Sequence, residues 1–272
     1  MPALRNLWYL ALATFIEGLR HKALWAIVCL AIVLTMANVF VAQLFSWDLG
    51  KVSVEFGLSA VALAGLLLVF FLGLKILADD LERNRISLIM SRPVTGWQYI
   101  GGKFLGLGLI LFVAALILGL GAALSMRYVI WQFPAYVPPQ FSWAVYGMAL
   151  LCQWLGLMMM LAISMLCFCF ASQPFVALLL AVSCYLVGQN MELLRRVVVE
   201  NAYAGILTGK EQLVIALSWI FPNLSLFDKK AVAAYGLAFS GQEFGLLVLY
   251  CFTYSAVLLF FSVLFFNRKE LA

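Results

Sequence analysis

Sulfur side chains are the most numerous candidates for chemistry in this chain, which has six cysteines, ten methionines and one histidine. Thiolates and thioethers are ligands for soft metal ions such as Cu(I). Cys167 and Cys169 are two residues apart, a spacing that on a helix directs the two thiols about 200° apart, away from a common ion. A thiol in an apolar stretch also keeps its proton unless a cation is already bound. We therefore interpret the cysteines as packing residues and predict no metal site.

Residues for acid–base or nucleophilic catalysis are sparse. His21 is the only histidine, so no conventional Ser-His-Asp triad is available, and the carboxylates lie in or beside polar segments with no pair inside an apolar run. The stretch GWQYIGGKF at 96–104 resembles a phosphate-binding loop, but its lysine is one residue off register and no Ser or Thr follows it. The sequence therefore predicts no catalytic residue and no cofactor; any ATP would be bound by a partner chain.

Long apolar runs make up most of the chain, which is 66% hydrophobic and 11% charged. A bilayer core of about 30 Å needs about 20 helical residues, a length that all the runs except the fifth reach. Their length, and the lack of alternating apolar and polar residues, favour helices over a barrel. The predicted fold class is an all-α membrane protein with six transmembrane helices, over residues 23–45, 56–78, 104–126, 143–170, 175–190 and 244–266.

The distribution of cations predicts the orientation of these spans. One side carries Arg5, Arg20, Lys22, Lys75, Arg83, Arg85, Arg92, Lys103, Arg268 and Lys269, whereas the short loops opposite carry only Lys51 and Arg127. By the positive-inside rule both termini are cytoplasmic. The long segment 191–243 then lies outside. It carries five cations, but these do not contradict the assignment, because long loops follow the rule weakly. The net charge of +5 reflects this topology, and no nucleic-acid partner is expected.

Residues 1–22 are predicted to form an amphipathic helix in the cytoplasmic interface. Its apolar side is Leu4, Leu7, Trp8, Ala11, Phe15 and Leu19, and its polar side is Arg5, Asn6, Thr14, Glu17 and Arg20. No small-residue cleavage site follows, so the segment is not read as a removable signal peptide. A plain extension of the first span is the alternative, and the sequence Arg20-His21-Lys22 argues against it.

The loop 79–103 between the second and third spans has its own pattern. Acidic residues at its start favour a helix N-terminus, and Ile86, Ile89 and Met90 then form an apolar edge among arginines before Pro93 ends the helix. A solvated loop with positive-inside charges would explain the arginines but not the apolar edge. The pattern predicts a short cytoplasmic helix that buries this edge against a partner.

This order of features resembles the permease family of type-two ATP-binding-cassette (ABC) transporters. The resemblance lies in the acidic residue, basic stretch and apolar triplet of the loop, followed by SRPVT at 91–95 and GKFLG at 102–106. The segment SWIFPNLSLF at 218–227 is similar to the Pro-Asn segment of those proteins, and the basic end at 267–270 also fits. The nearest subgroup is the permease of nitrous-oxide-reductase maturation systems, although Asn84 and Arg85 stand where many relatives have Gly-Thr.

The resemblance implies a permease subunit that pairs with a second copy of itself and docks onto separate cytosolic ATPase subunits to move a substrate, with export as the expected direction. The implied coupling residues are Glu82, Arg83, Arg85, Ile86, Ile89, Met90 and Arg92. The candidate pathway-lining residues are Thr35 and Asn38 on span one, with Ser183 and Gln189 on span five. Hydrogen bonding between helices is the alternative role for each of these four.

Three questions stay open at the level of sequence. The substrate class extends from copper or sulfur species to lipids, small drugs and peptides. The segment 191–243 either caps the pathway, meets a periplasmic substrate-handling protein or is a simple connector. A secondary transporter or a membrane-embedded enzyme is the alternative function, and each predicts polar groups that the spans lack.

Overall fold

The computed structural model describes residues 2–44, 49–82, 95–132, 141–171, 173–196 and 221–270. Within these ranges the chain is helical, with connecting turns and no β-strand. The helices are α1 (Pro2–Arg20), α2 (Lys22–Leu44), α3 (Leu49–Leu67), α4 (Leu74–Glu82), α5 (Gly96–Gln132), α6 (Trp143–Phe170), α7 (Pro174–Gln189), α8 (Lys230–Tyr235) and α9 (Gly241–Glu270). A π-helical turn, Leu68–Gly73, joins α3 to α4 without a break, and a 3₁₀ turn, Leu224–Phe227, precedes α8.

Four helices in the described ranges are long and apolar enough to cross a bilayer: Gly50–Asp79, Gly96–Gln132, Trp143–Phe170 and Gly241–Arg268. A fifth crossing is possible by length and composition if α1 and α2, which meet at a 60° bend, form one broken span. α7 is apolar but shorter. The protein is therefore a multi-pass, all-α membrane protein, as the sequence predicted, while the number of six spans stays a prediction.

α5 is the longest element of the fold. Its 37 residues extend about 55 Å at 1.5 Å per residue, well beyond a hydrocarbon core of about 30 Å. At the start of the helix the Thr95 backbone N–H donates to Gln98 Oε1 at 3.1 Å, which is one half of a capping box, and the Thr95 carbonyl accepts from the Gln98 N–H. Residues 96–103, which the sequence assigned to the loop, are thus helical.

The core lies where α3, α5 and α6 pack together, with α9 against α6. Leu68 and Leu72 of the π-helical turn, Ile110 of α5 and Met159 of α6 are among its fully buried side chains. α2 packs on the outside of α3 and α5. Several of its apolar residues, such as Val33, Met36 and Phe40, are exposed on the single chain, as expected for a helix that faces lipid or another membrane protein.

α1 packs lengthwise on the first turns of α5. A Cβ atom at Gly106 would lie 2.6 Å from the Ala11 carbonyl oxygen, so only glycine permits this approach. Thr14 is buried in the contact, and Lys103 Nζ donates to Glu17 Oε2 at 3.4 Å. The sequence assigned Thr14 and Glu17 to a polar side away from the apolar side. Glu17 faces α5 because Lys103 is itself buried and needs an anionic partner, and Thr14 can be buried there because its hydroxyl donates to the Leu10 carbonyl of its own helix.

Candidate functional site

The segment 221–236, which we call the plug, folds back into the helix bundle where α6 begins and α7 ends. Its Phe227 lies against Gly156 of α6, and its Leu224 lies against Gly188 of α7. Ala233 and Ala234 of α8 are buried in an apolar cluster with residues of α3, α5 and α6: Val54, Leu58, Met126, Tyr146 and Ala149. The plug is therefore part of the packed bundle.

Hydrogen bonds around Asn223 fix the path of the plug. The Asn223 backbone N–H donates to the Tyr250 hydroxyl of α9 at 3.0 Å, and its side-chain Nδ2 donates to Glu192 Oε2 at 3.5 Å. Ser225 Oγ donates to Asn223 Oδ1 at 2.6 Å. These bonds satisfy polar backbone and side-chain groups that would otherwise be costly to bury. The plug ends at Gly236, whose φ of 65° is favourable only for glycine.

A small, partly open cavity lies between the plug and the bundle. Its volume is about 40 Å³, enough for about three water molecules. Its walls come from α3, α6, α7 and the plug, and the lining residues are Ala62, Leu66, Gln153, Gly156, Leu157, Met160, Tyr185, Gln189, Leu224, Phe227, Asp228 and Lys230. Leucine, methionine and phenylalanine side chains thus enclose a small group of polar ones.

An ion pair stands in the cavity wall. Lys230 Nζ lies 3.1 Å from Asp228 Oδ2, and the two side chains are 25% and 31% exposed. The Lys230 backbone N–H also donates to Asp228 Oδ1 at 3.4 Å, which holds the carboxylate at the start of α8. A half-buried pair of this kind keeps both charges available to a molecule entering the cavity.

Three further polar side chains line the cavity without a hydrogen-bond partner among the residues that the structure describes: Gln153, Tyr185 and Gln189. Between them they offer two amide groups and one hydroxyl, each able to donate and to accept. Polar groups left unpaired in a part-buried place bind water or a ligand. The arrangement suits recognition of a small polar molecule through charge and hydrogen bonds.

The cavity lies deep along the bundle. Gln153 is ten residues beyond the first residue of α6, about 15 Å along the helix axis, and Met160 is deeper. α7 has only 16 residues, about 24 Å, and residues 191–196 form a further helical segment after it. The plug packs against the last turn of α7 at Gly188. Irregular backbone within a membrane protein is tolerated where it is buried in protein or lines a polar cavity, and the plug does both.

The four candidate pathway residues have different surroundings. Gln189 lines the cavity. Asn38 is fully buried and donates from Nδ2 to the Ser53 carbonyl at 3.1 Å, linking α2 to α3. Ser183 lies exposed on α7 and donates to the Leu179 carbonyl of its own helix at 2.9 Å. Thr35 is a residue of α2. A pathway role for the four stays a prediction, and for Asn38 the observed bond is the interhelical alternative.

The predicted coupling residues fall mostly outside the described ranges. Glu82 is the last residue of α4, while Arg83, Arg85, Ile86, Ile89, Met90 and Arg92 lie in the segment 83–94, of which the structure describes nothing. The residues that follow this segment, from Thr95 onward, are described. There Tyr99 of α5 stacks on Phe266 of α9, with ring centroids 5.1 Å apart, and the ion pair between Lys103 and Glu17 follows one turn later.

Four of the six cysteines lie in the interior. Cys152, Cys167, Cys169 and Cys251 are buried, and all six are free thiols. Cys251 Sγ donates to the Leu155 carbonyl at 3.3 Å, joining α9 to α6. In the described part of the chain no three metal-binding side chains of the His, Cys, Asp or Glu type come together.

Sequence reasoning missed the polar cavity because its charged residues come from a segment interpreted as an external loop. Asp228 follows a proline and an apolar run, and no local signal tells a loop that leaves the membrane from one that returns to the bundle. Glycines at 156 and 188, within spans, were the available hint of close backbone approach.

In comparisons with known proteins, no family model matches this chain and no curated protein matches it significantly.

Proposed function

We propose that this chain is the permease subunit of an ABC transporter, a multi-pass protein of a bacterial inner membrane with both termini in the cytoplasm. Two copies pair and dock onto two cytosolic ATPase subunits, which bind and hydrolyse ATP. The permease moves a substrate across the membrane, with export as the direction. The segment 79–103 carries the contact with the ATPase, and the chain itself performs no chemical step.

The observation that carries this proposal is the way the bundle holds both ends of that segment. On one side, α4 continues through the π-helical turn into the buried helix α3. On the other side, α5 starts at Gly96 against Phe266 and Asn267 of α9 and then packs on α1. A push on residues 83–94 would therefore act on α3, α5, α1 and α9 together, which suits rigid-body switching between two states.

The plug supports a transport role from the other end of the bundle. It packs against the last turn of α7 and encloses a polar cavity for which a lipid-facing protein has no structural need. In the proposed topology this end faces outward.

A secondary transporter is the second candidate, and the same cavity favours it. Discontinuous helices and charged groups at membrane depth are typical of secondary transporters. α7 is short, and the irregular plug with its Asp228–Lys230 pair packs against its last turn. The two candidates differ in their energy source. Transport by the purified chain in liposomes with an ion gradient and no ATPase would favour the second.

The permease proposal is tested by replacing the apolar edge of the loop. We expect Ile86→Asp with Ile89→Asp to abolish co-purification with the ATPase encoded beside this chain, because two carboxylates cannot enter an apolar groove without a large desolvation cost. The measurement is the amount of ATPase recovered with the tagged permease from solubilised membranes.

Leu237→Asp with Ala238→Asp is the matched control. Both residues are exposed before the first residue of α9, at the other end of the bundle, so the same change from an apolar to an acidic side chain there should leave ATPase recovery unaltered. Equal ATPase recovery with the loop variant and the wild type, at equal amounts in the membrane, would refute the coupling role.

A further inference from the structure

We propose that the plug cavity is a binding site for a small zwitterionic group, with an ammonium and an anionic oxygen on the same molecule. The argument starts from the Asp228–Lys230 pair, whose two charged atoms lie 3.1 Å apart in the cavity wall. An ion of either sign is attracted by one of these charges and repelled by the other at nearly the same distance, so the two terms largely cancel.

A dipolar molecule escapes this cancellation. Its ammonium faces the Asp228 carboxylate while its anionic oxygen faces the Lys230 ammonium, and both contacts are favourable at once. Neither protein charge then loses its partner, which would be strongly unfavourable in a part-buried site. The pair thus selects for opposite charges separated by a few ångströms.

The remaining polar residues complete this recognition. Gln153 on α6 and Gln189 on α7 line the cavity with their amides unpaired within the described ranges, as does the Tyr185 hydroxyl. Each can donate to the anionic oxygen or accept from the ammonium. Apolar side chains such as Leu157 and Met160 line the cavity beside them and lower the local dielectric constant, which strengthens these electrostatic contacts.

The size of the cavity limits the ligand. A volume of about 40 Å³ accepts a group as large as about three water molecules, so the bound part is a compact amine-and-acid group and any larger portion extends through the open side. Free amino acids and the ethanolamine phosphate headgroup of a lipid share this chemistry. The identification of the bound molecule as the transported substrate rests on the proposed permease function. The binding itself does not depend on that function.

The test uses the purified full-length chain in nanodiscs of phosphatidylglycerol, which has no ammonium group, with no ATPase or ATP present. Glycine and glycerophosphoethanolamine are the zwitterionic probes; acetate, methylammonium and acetamide are the matched anion, cation and neutral amide. We expect the zwitterions alone to raise the melting temperature and to give a saturable signal in calorimetric titration. A second arm uses nanodiscs with phosphatidylethanolamine: loss of glycine binding there assigns the site to the lipid headgroup, and unchanged binding assigns it to a free solute.

Two variants locate the binding. Gln189→Leu should weaken binding of the zwitterion about tenfold, the effect of losing one to two hydrogen bonds, whereas Gln173→Leu, at an exposed position before α7, should have no effect. The double variant Asp228→Asn with Lys230→Gln should bind acetamide as well as glycine. The proposal would be overturned if the wild-type protein bound neither zwitterion, or if the wild-type protein bound acetamide as tightly as glycine. Because no ATPase is present, that result would leave the permease function standing, and failure of ATPase co-purification would leave the binding site standing.

Discussion

Two ion pairs in this protein have the same length and very different surroundings. Lys103 Nζ and Glu17 Oε2 are 3.4 Å apart, with side chains 5% and 34% exposed. Arg196 Nε and Glu192 Oε1 are also 3.4 Å apart, but their side chains are 72% and 44% exposed. Distance alone would rank the pairs as equal. Burial decides, because a charge that water cannot reach depends on its protein partner.

We expect a double-mutant cycle with Glu17→Gln and Lys103→Met to give a coupling free energy of about 1–3 kcal/mol. The same cycle with Glu192→Gln and Arg196→Met should give about 0.3–0.5 kcal/mol, as for exposed pairs one helical turn apart. The measurement is the free energy of unfolding in mixed detergent micelles. Equal coupling in the two cycles would show that the α1–α5 junction does not depend on this pair.

At the scale of elements, the plug joins two helices through close backbone approach. A Cβ atom at Gly188 would lie 2.9 Å from the Pro222 carbonyl oxygen and 2.9 Å from Leu224 Cδ1. The carbonyl belongs to the backbone of a segment that is held by hydrogen bonds from Asn223 and therefore cannot move aside easily. The short α7 and the plug accordingly form one structural unit.

Gly188→Ala should lower the free energy of unfolding by about 1–3 kcal/mol, the usual cost of overpacking. It should also increase hydrogen exchange of the backbone in residues 222–228, because the plug loses its close contact with α7 at Gly188. Gly147→Ala is the matched control: nothing lies within 4 Å of its Cβ position, and alanine should stabilise α6 slightly. Unaltered exchange in the plug of the Gly188 variant would contradict the close contact.

At the scale of the whole molecule, α9 extends from one end of the bundle to the other. Its 30 residues extend about 45 Å, longer than the bilayer core. Leu237 precedes this helix and Arg268 lies in its last turn, and both are exposed. The two positions therefore report on opposite sides of the membrane.

The proposed topology predicts how these positions react. In a Cys29→Ser background, which removes the exposed cysteine, a membrane-impermeant maleimide should label Leu237→Cys in intact bacteria. Arg268→Cys should react only after the cells are permeabilised. The readout is the mass shift of the purified protein. Labelling of Arg268→Cys in intact cells would reverse the orientation, and with it the assignment of the loop to the cytoplasm.

The sequence by itself determined the membrane class and the helices, because these depend on local composition. A run of apolar residues must lie in lipid or in the core and must form its backbone hydrogen bonds within the helix. For this reason the predicted span 143–170 coincides with α6 (Trp143–Phe170). The start of α5 was not predicted from the sequence, although Thr95 and Gln98, whose hydrogen bond caps the helix, are present there.

Only the tertiary structure decided which polar residues meet. Gln189 was a candidate from its place on a span, but its neighbours Asp228 and Lys230 come from a segment about 40 residues further along the chain. Their position depends on the plug returning to Gly156 and Gly188, a contact between distant segments that no local pattern encodes. The sequence therefore predicted no charged groups among the spans, and the fold brings the part-buried Asp228–Lys230 pair into the wall of a cavity between α3, α6 and α7.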